Sequence, residues 1–168
     1  FYSNNCCGWS RKASVSNMPT SFVDGLNFYL AKYPYGCSEQ IVSKAYPFIY
    51  KDVAKVAGLS QEDVNARVDE VIGILQSRIK SDGNIGYWTN KSETNDFITL
   101  YCAEFLTDAS EQGFFVPSTF MTNVLKAVEV IASDSEEKRD AHIRAYAIYI
   151  LTKNAEVTTH YIEDLESD

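Results

Sequence analysis

No stretch of the 168-residue chain is apolar for long enough to cross a bilayer. Positive charge is also in short supply: 15 Lys and Arg against 23 Asp and Glu leave a net charge of −8. That balance argues against nucleic acid as a partner, which demands clustered cations. It gives no support either for docking on anionic lipid, so no direct membrane contact is expected. Histidine is scarce, with only His142 and His160. The four cysteines, Cys6, Cys7, Cys37 and Cys102, fit no zinc spacing, so no metal or other cofactor is expected. No signal peptide is visible. The chain opens FYSNNCCG without an initiator Met and stops inside the helix-like NAEVTTHYIEDLESD, so it is expected to be excised from a longer polypeptide. β-alternation is sparse after residue 20.

What is present is an ordinary globular composition, 45% apolar and 23% charged, in a length that makes one domain or a large part of one. Residues 1–18 mix Ser, Asn, Lys and Gly and are expected to be an entry arm from a preceding domain, with the domain itself over 19–168. Helical patterns then follow one another. PTSFVDGLNFYLAKY carries Ser21 and Asp24 in capping-box spacing. SEQIVSKAYPFIYKDVAKVAG places Ile41, Ala45, Phe48, Ile49 and Val53 on one side, and Pro47 should kink or split it. LSQEDVNARVDEVIGILQSRIK begins with the pair Ser60 and Asp63 and carries a stripe of Val64, Val68, Val71, Ile72, Leu75 and Ile79. SDGNIGYWTNKSETND reads as a loop. FITLYCAEFLTDASEQG should end at Gly113, and VPSTFMTNVLKAVEVIAS should hold Pro117 in its first turn. SEEKRDAHIRAYAIYILTKN is a further helix with acidic residues favourable in its first turn. The expected class is all-α, with successive antiparallel hairpins.

The stretch YPYGCSEQ, Tyr33 to Gln40, carries the chemistry. A cysteine sulfur can attack the side-chain amide of glutamine and expel ammonia, storing an activated acyl group as an internal thioester. Cys37 and Gln40 stand at i and i+3, which share a face at a helix start. Gly36 allows backbone angles that other residues resist, and Pro34 stiffens the approach. A helix N-terminus after Cys37 stabilises a developing thiolate. Such a bond acylates once and does not turn over. Water destroys it, and Tyr33, Tyr35, Tyr46, Tyr87 and Trp88 are the aromatic candidates for a shield. Cys102, in an apolar run, reads as a small buried hydrophobe. Cys6 and Cys7 are neighbours, which rarely bond each other.

YPYGCSEQ resembles the Gly-Cys-x-Glu-Gln thioester signature of the α2-macroglobulin and complement family, and Tyr-Pro-Tyr before it looks like the bacterial branch. VSNMPTSFVDGLNFYLAKYPYGCSEQ resembles the family's approach to the motif. IGYW, FITLYCAEFLTDASEQGFFVP and HIRAYAIYILTKN resemble its later segments. The resemblance covers the chain from about residue 14 onward. It implies an α/α toroid, here incomplete, with Cys37 and Gln40 as thioester partners and Glu39 an acid between them of open role. It implies a parent that is a broad-spectrum protease trap rather than an enzyme, whose targets are tethered through Lys after cleavage of a bait region. Flanking macroglobulin-type domains would pack around this one. The bacterial resemblance places the parent in the periplasm or at the cell surface, where a lipid anchor is common. Ser38 fills the variable slot of the motif. Neither His142 nor His160 lies in a segment like the one that bears the acyl-accepting histidine of some complement proteins, so amines are the expected acceptors.

Three rivals stand beside this reading. The same bond serves an opsonin-like protein that attaches to surfaces. A toroid enzyme would need a carboxylate pair or zinc ligands, and neither Glu39, Glu93, Asp96 and Glu104 nor the Cys and His spacing singles one out. A purely structural toroid would form no thioester at all.

Overall fold

The computed structural model describes residues 36–133 and 139–167. The entry arm, the segment PTSFVDGLNFYLAKY and the site candidates Tyr33, Pro34 and Tyr35 lie outside the described residues. The rest is helical: α1 (Ser38–Ala45), a 3₁₀ turn (Tyr46–Ile49), α2 (Lys51–Val56), α3 (Gln61–Arg78), α4 (Asp96–Glu111), α5 (Ser118–Ser133), α6 (Ala141–Lys153) and α7 (Thr159–Ser167). Among the described residues the only β-pairing is one isolated bridge between Ile79 and Ile85. None of the described helices is long and apolar enough to cross a membrane.

Local chemistry sets most of the boundaries. Ser60 opens α3 with a reciprocal capping box: the Asp63 N–H donates to Ser60 Oγ at 3.1 Å, and the Ser60 N–H donates to Asp63 Oδ2 at 3.2 Å. Asn95 caps α4 by accepting from the Ile98 N–H at 2.8 Å. Gly113, at φ +90°, terminates α4 in the left-handed conformation that costs glycine nothing. Pro47 splits the first helical run as expected, because it cannot continue the α-helical ladder.

α4 is the centre of the fold. It packs against α1, the 3₁₀ turn, α3, α5 and α6. Ile98, Leu100, Cys102, Ala103, Phe105, Leu106 and Ala109 are all buried, so its apolar surface runs nearly all round, as a helix in the middle of a core requires. The stripe of α3 from Val64 to Leu75 is buried, with Ile79 half-buried at its end. Three expectations need correction. Ile41 is only half-buried against the core, while its neighbour Val42 is fully buried. Pro117 precedes α5 and contributes only its carbonyl, which accepts from the Met121 N–H at 3.0 Å. α6 begins at Ala141 with no acidic residue in its first turn, and positions 134–138 of the acidic run lie outside the described residues.

Candidate functional site

Cys37 is the N-cap of α1, with φ −64° and ψ 165°, and Gln40 is the third helical residue. The two stand in capping-box relation: the Cys37 side chain faces the Gln40 backbone N–H without a cap hydrogen bond to it, while the Cys37 N–H donates to Gln40 Oε1 at 3.3 Å. Serine or threonine normally fills the first of these roles. With cysteine there, both side chains fold back over the first turn of the helix. Cys37 is 9% exposed and in no disulfide.

Gly36 lies beside the cysteine, but its φ is outside the left-handed region. The expected conformational reason is therefore replaced by a steric one. A Cβ at position 36 would lie 2.5 Å from Ile41 Cγ2, well inside contact distance.

The start of α1 is docked onto the loop between α3 and α4. The Ser38 N–H donates to the Tyr87 carbonyl at 2.9 Å. The Ser38 hydroxyl donates to the Gly86 carbonyl at 2.7 Å, and Ser38 is fully buried. Arg78, the last residue of α3, reaches across both segments. Its Nη2 donates to the Gly36 carbonyl at 3.0 Å, and its Nη1 donates to the Tyr87 carbonyl at 3.0 Å and to Ser38 Oγ at 3.2 Å. Burial pushes the guanidinium's pKa down, opposed by the neighbouring Cys37 and Cys102. An arginine remains charged under such pressure.

The loop is itself held firmly. The Tyr87 N–H donates to the Glu93 carbonyl at 2.9 Å, and the Gly86 N–H donates to the Arg78 carbonyl at 3.1 Å. Thr99, buried in α4, accepts from the Ile85 N–H at 3.1 Å. Asn95 donates to the Tyr87 hydroxyl at 2.8 Å. Tyr87 meets α1 through its backbone carbonyl, and the neighbouring Trp88 is 51% exposed.

The remaining candidates take no part in the Cys37–Gln40 capping box. Glu39 is exposed in the first turn of α1. Tyr46 follows the other end of α1, about 12 Å along the axis for eight residues. There its ring packs on Tyr101 and Phe105, and its hydroxyl donates to Asp108, so it is no shield for the sulfur. His142 is exposed and paired with Asp140 at 2.9 Å, and His160 lies exposed against the Tyr161 ring. Cys102 is fully buried in α4, and burial pushes its thiol pKa up, the inert setting expected of it. No group of three or more metal-ligating side chains is gathered among the described residues.

The sequence marks Ser38 only as the variable slot of the motif, and it does not single out Arg78. Arg78 reads there as a cation in a helix's last turn, a common pattern that satisfies the dipole. Nothing in it announces a contact 42 residues away in the chain.

No protein-family model matches the chain. Among curated proteins, the α2-macroglobulin homologue of Yersinia pestis is 33% identical over 160 residues, 94% of this chain and 8% of the relative. The α2-macroglobulin of Rickettsia conorii is 30% identical over 158 residues, 90% of this chain and 8% of the relative. This chain therefore spans less than a tenth of the length of either. Among solved structures, native Escherichia coli α2-macroglobulin from domain MG7 to the C-terminus superposes with a TM-score of 0.73 at 22% identity, over 84% of this chain and 24% of that one. Salmonella α2-macroglobulin reacted with methylamine gives 0.73 at 22% identity, over 84% of this chain and 10% of that one. The trypsin-activated E. coli protein gives 0.71 at 23% identity, over 80% of this chain and 10% of that one. At these identities the structural likeness shows the fold, the all-α, toroid-like arrangement of that region. The sequence likeness runs along nine-tenths of the chain, and on it the chain belongs to the α2-macroglobulin family.

Proposed function

We propose that this chain carries a one-shot acylating group, a thioester between Cys37 Sγ and Gln40 Cδ, and that its parent protein uses it to trap proteases. The observation that supports it most is the capping-box relation, which folds the side chains of Cys37 and Gln40 back over one and the same turn at a buried helix start. Bond formation is balanced within the pair. Sγ adds to Cδ, the C–N bond breaks, and the amide nitrogen leaves as ammonia, carrying the thiol proton. An attacking lysine amine then adds to Cδ, the C–S bond breaks, and the proton lost by the amine ends on Sγ. The product is an isopeptide link and a thiol. The α1 N-terminus favours the departing thiolate through its dipole.

The relatives support the wider reading. Solved structures show the Escherichia coli relative activated by trypsin and by porcine elastase, and the Salmonella relative reacted with methylamine, a small amine. On this reading the parent is an inhibitor consumed in one reaction, and this segment works inside a much longer chain among further domains, in the periplasm or at the cell surface. Tyr87 and Trp88 stand on the loop against which α1 docks, where with a flanking domain they would keep water from the bond.

Intact mass of the full-length protein tests this, before and after methylamine and beside Cys37→Ala. The expected native mass is lighter than the sequence by one ammonia. Methylamine should add one equivalent and expose one thiol, and Cys37→Ala should show neither change. A native mass equal to that of the sequence, with Cys37 already titratable, would overturn the proposal.

A further inference from the structure

The most heavily shared side chain of the site is one that contributes no reacting atom. Arg78 donates to the carbonyl of Gly36, which immediately precedes Cys37, to the hydroxyl of Ser38, which immediately follows it, and to the carbonyl of Tyr87 on the opposing loop. Its guanidinium therefore flanks the cysteine on both sides along the chain and ties both flanks to the loop. The two carbonyls are parallel demands that a planar fork can meet together and a point charge cannot. The Ser38 hydroxyl completes the arrangement by donating to Gly86 while accepting from Arg78.

We propose that Arg78 is the positioning residue of this site: by clamping the Gly36–Ser38 segment to the Gly86–Trp88 turn, it holds Cys37 in the N-cap position and sets how long the acyl group survives water. This rests on the thioester reading for its functional half. The clamp itself makes a separate claim, about the order of the Ser38 to Tyr87 junction. Once the fork is lost, the Gly36 carbonyl loses the arginine's bond and the Tyr87 carbonyl is left to the Ser38 N–H and hydroxyl, and water drawn to these atoms is water beside Cys37. Hydrogen bonds from a charged donor are the strong ones, so their loss should be felt well above the level of an ordinary contact.

Arg78→Lys and Ser38→Ala in the full-length protein, with the exposed neighbour Gln76→Ala as control, test this. Two readouts are needed. The first is the lifetime of the acyl group in neutral buffer, followed as thiol release. Arg78→Lys is expected to shorten it by about tenfold or more, and Ser38→Ala by about threefold, while Gln76→Ala leaves it unchanged. The second is amide hydrogen exchange at Ser38, whose N–H is bonded to the Tyr87 carbonyl. Exchange there should rise in Arg78→Lys while the amides in the middle of α3 keep their protection. A wild-type protein that never lacks the ammonia would remove the functional half, and the exchange arm would still decide the clamp. Wild-type lifetime and wild-type Ser38 exchange in Arg78→Lys would overturn the proposal. So would a uniform loss of protection throughout α3, which would make Arg78 merely structural.

Discussion

At the scale of single residues, two glycines next to the site carry different demands. A Cβ at Gly86 would fall 2.0 Å from the Thr89 carbonyl oxygen, which is backbone and cannot rotate away. At Gly36 the obstacle is Ile41 Cγ2 at 2.5 Å, a methyl on a half-buried side chain rather than backbone. Gly86→Ala should therefore cost about 3 kcal/mol in urea unfolding and Gly36→Ala about 1 kcal/mol. Combining Gly36→Ala with Ile41→Ala should cost less than the two changes separately, and strict additivity would count against the steric account. Gly36 shows what the sequence conveyed and what it did not. Its place before Cys37 marked it, but backbone freedom was the wrong reason, since the competing methyl comes from five residues along a helix whose facing had first to be known.

Among the elements, the capped helices α3 and α4 differ in what their caps also hold. Ser60 caps only α3, and Ser60→Ala should remove about 1 kcal/mol. Asn95 caps α4 and in addition donates to the Tyr87 hydroxyl. Asn95→Ala should therefore cost about 2 kcal/mol. Thermal unfolding of the two variants side by side checks this, and equal losses would mean the Tyr87 bond is idle. The Ser60–Asp63 box was readable because a capping box is written in four adjacent letters. Asn95 was not, because it stands in a run of Ser, Asn and Thr where any of several residues could cap. Ala45, Phe48 and Ile49 of the expected stripe are buried and Ile41 and Val53 half-buried, although the chain passes at Pro47 into a 3₁₀ turn with three residues per turn.

Across the whole molecule, Asp108 joins three elements. Its carboxylate accepts from Tyr46 and Tyr50 at 2.8 Å each, the first residue of the 3₁₀ turn and the residue just past its end, and from Lys153 at the end of α6. Burial pushes the Asp108 pKa up, but the hydrogen bonds from Lys153, Tyr46 and Tyr50 together outweigh it, and the net direction is down. A carboxyl lowered on folding adds stability that is complete above its unfolded value of 3.8 and is lost as pH falls through the folded value. Tyr50 moves the other way, raised to about 12 by burial and then by its bond to Asp108. Its contribution is complete below its ordinary 10.0 and disappears as pH climbs towards 12. The melting temperature should therefore fall at both extremes. In Asp108→Asn both limbs should flatten, and unchanged limbs in that variant would place the acid and alkaline sensitivity elsewhere. Tyr46 stands out in the sequence only as a candidate shield, and nothing there points to its bond with Asp108, since the two are 62 positions apart and only the folded chain brings them together.

The brevity of α1 has a consequence for biosynthesis. An isolated helix of eight residues does not persist in water. Its start is held by Gly86, 48 residues further along the chain, and its flank by Tyr101, whose hydroxyl meets Ser43 at 3.0 Å. While a ribosome has delivered only the first half of this segment, Cys37 and Gln40 have nothing to keep them together. On the proposed chemistry the protein is thus made unarmed. It acquires its reactive bond only after residues as distant as Tyr101 have emerged and packed, so a chain stalled or cleaved before that point is harmless to its own cell.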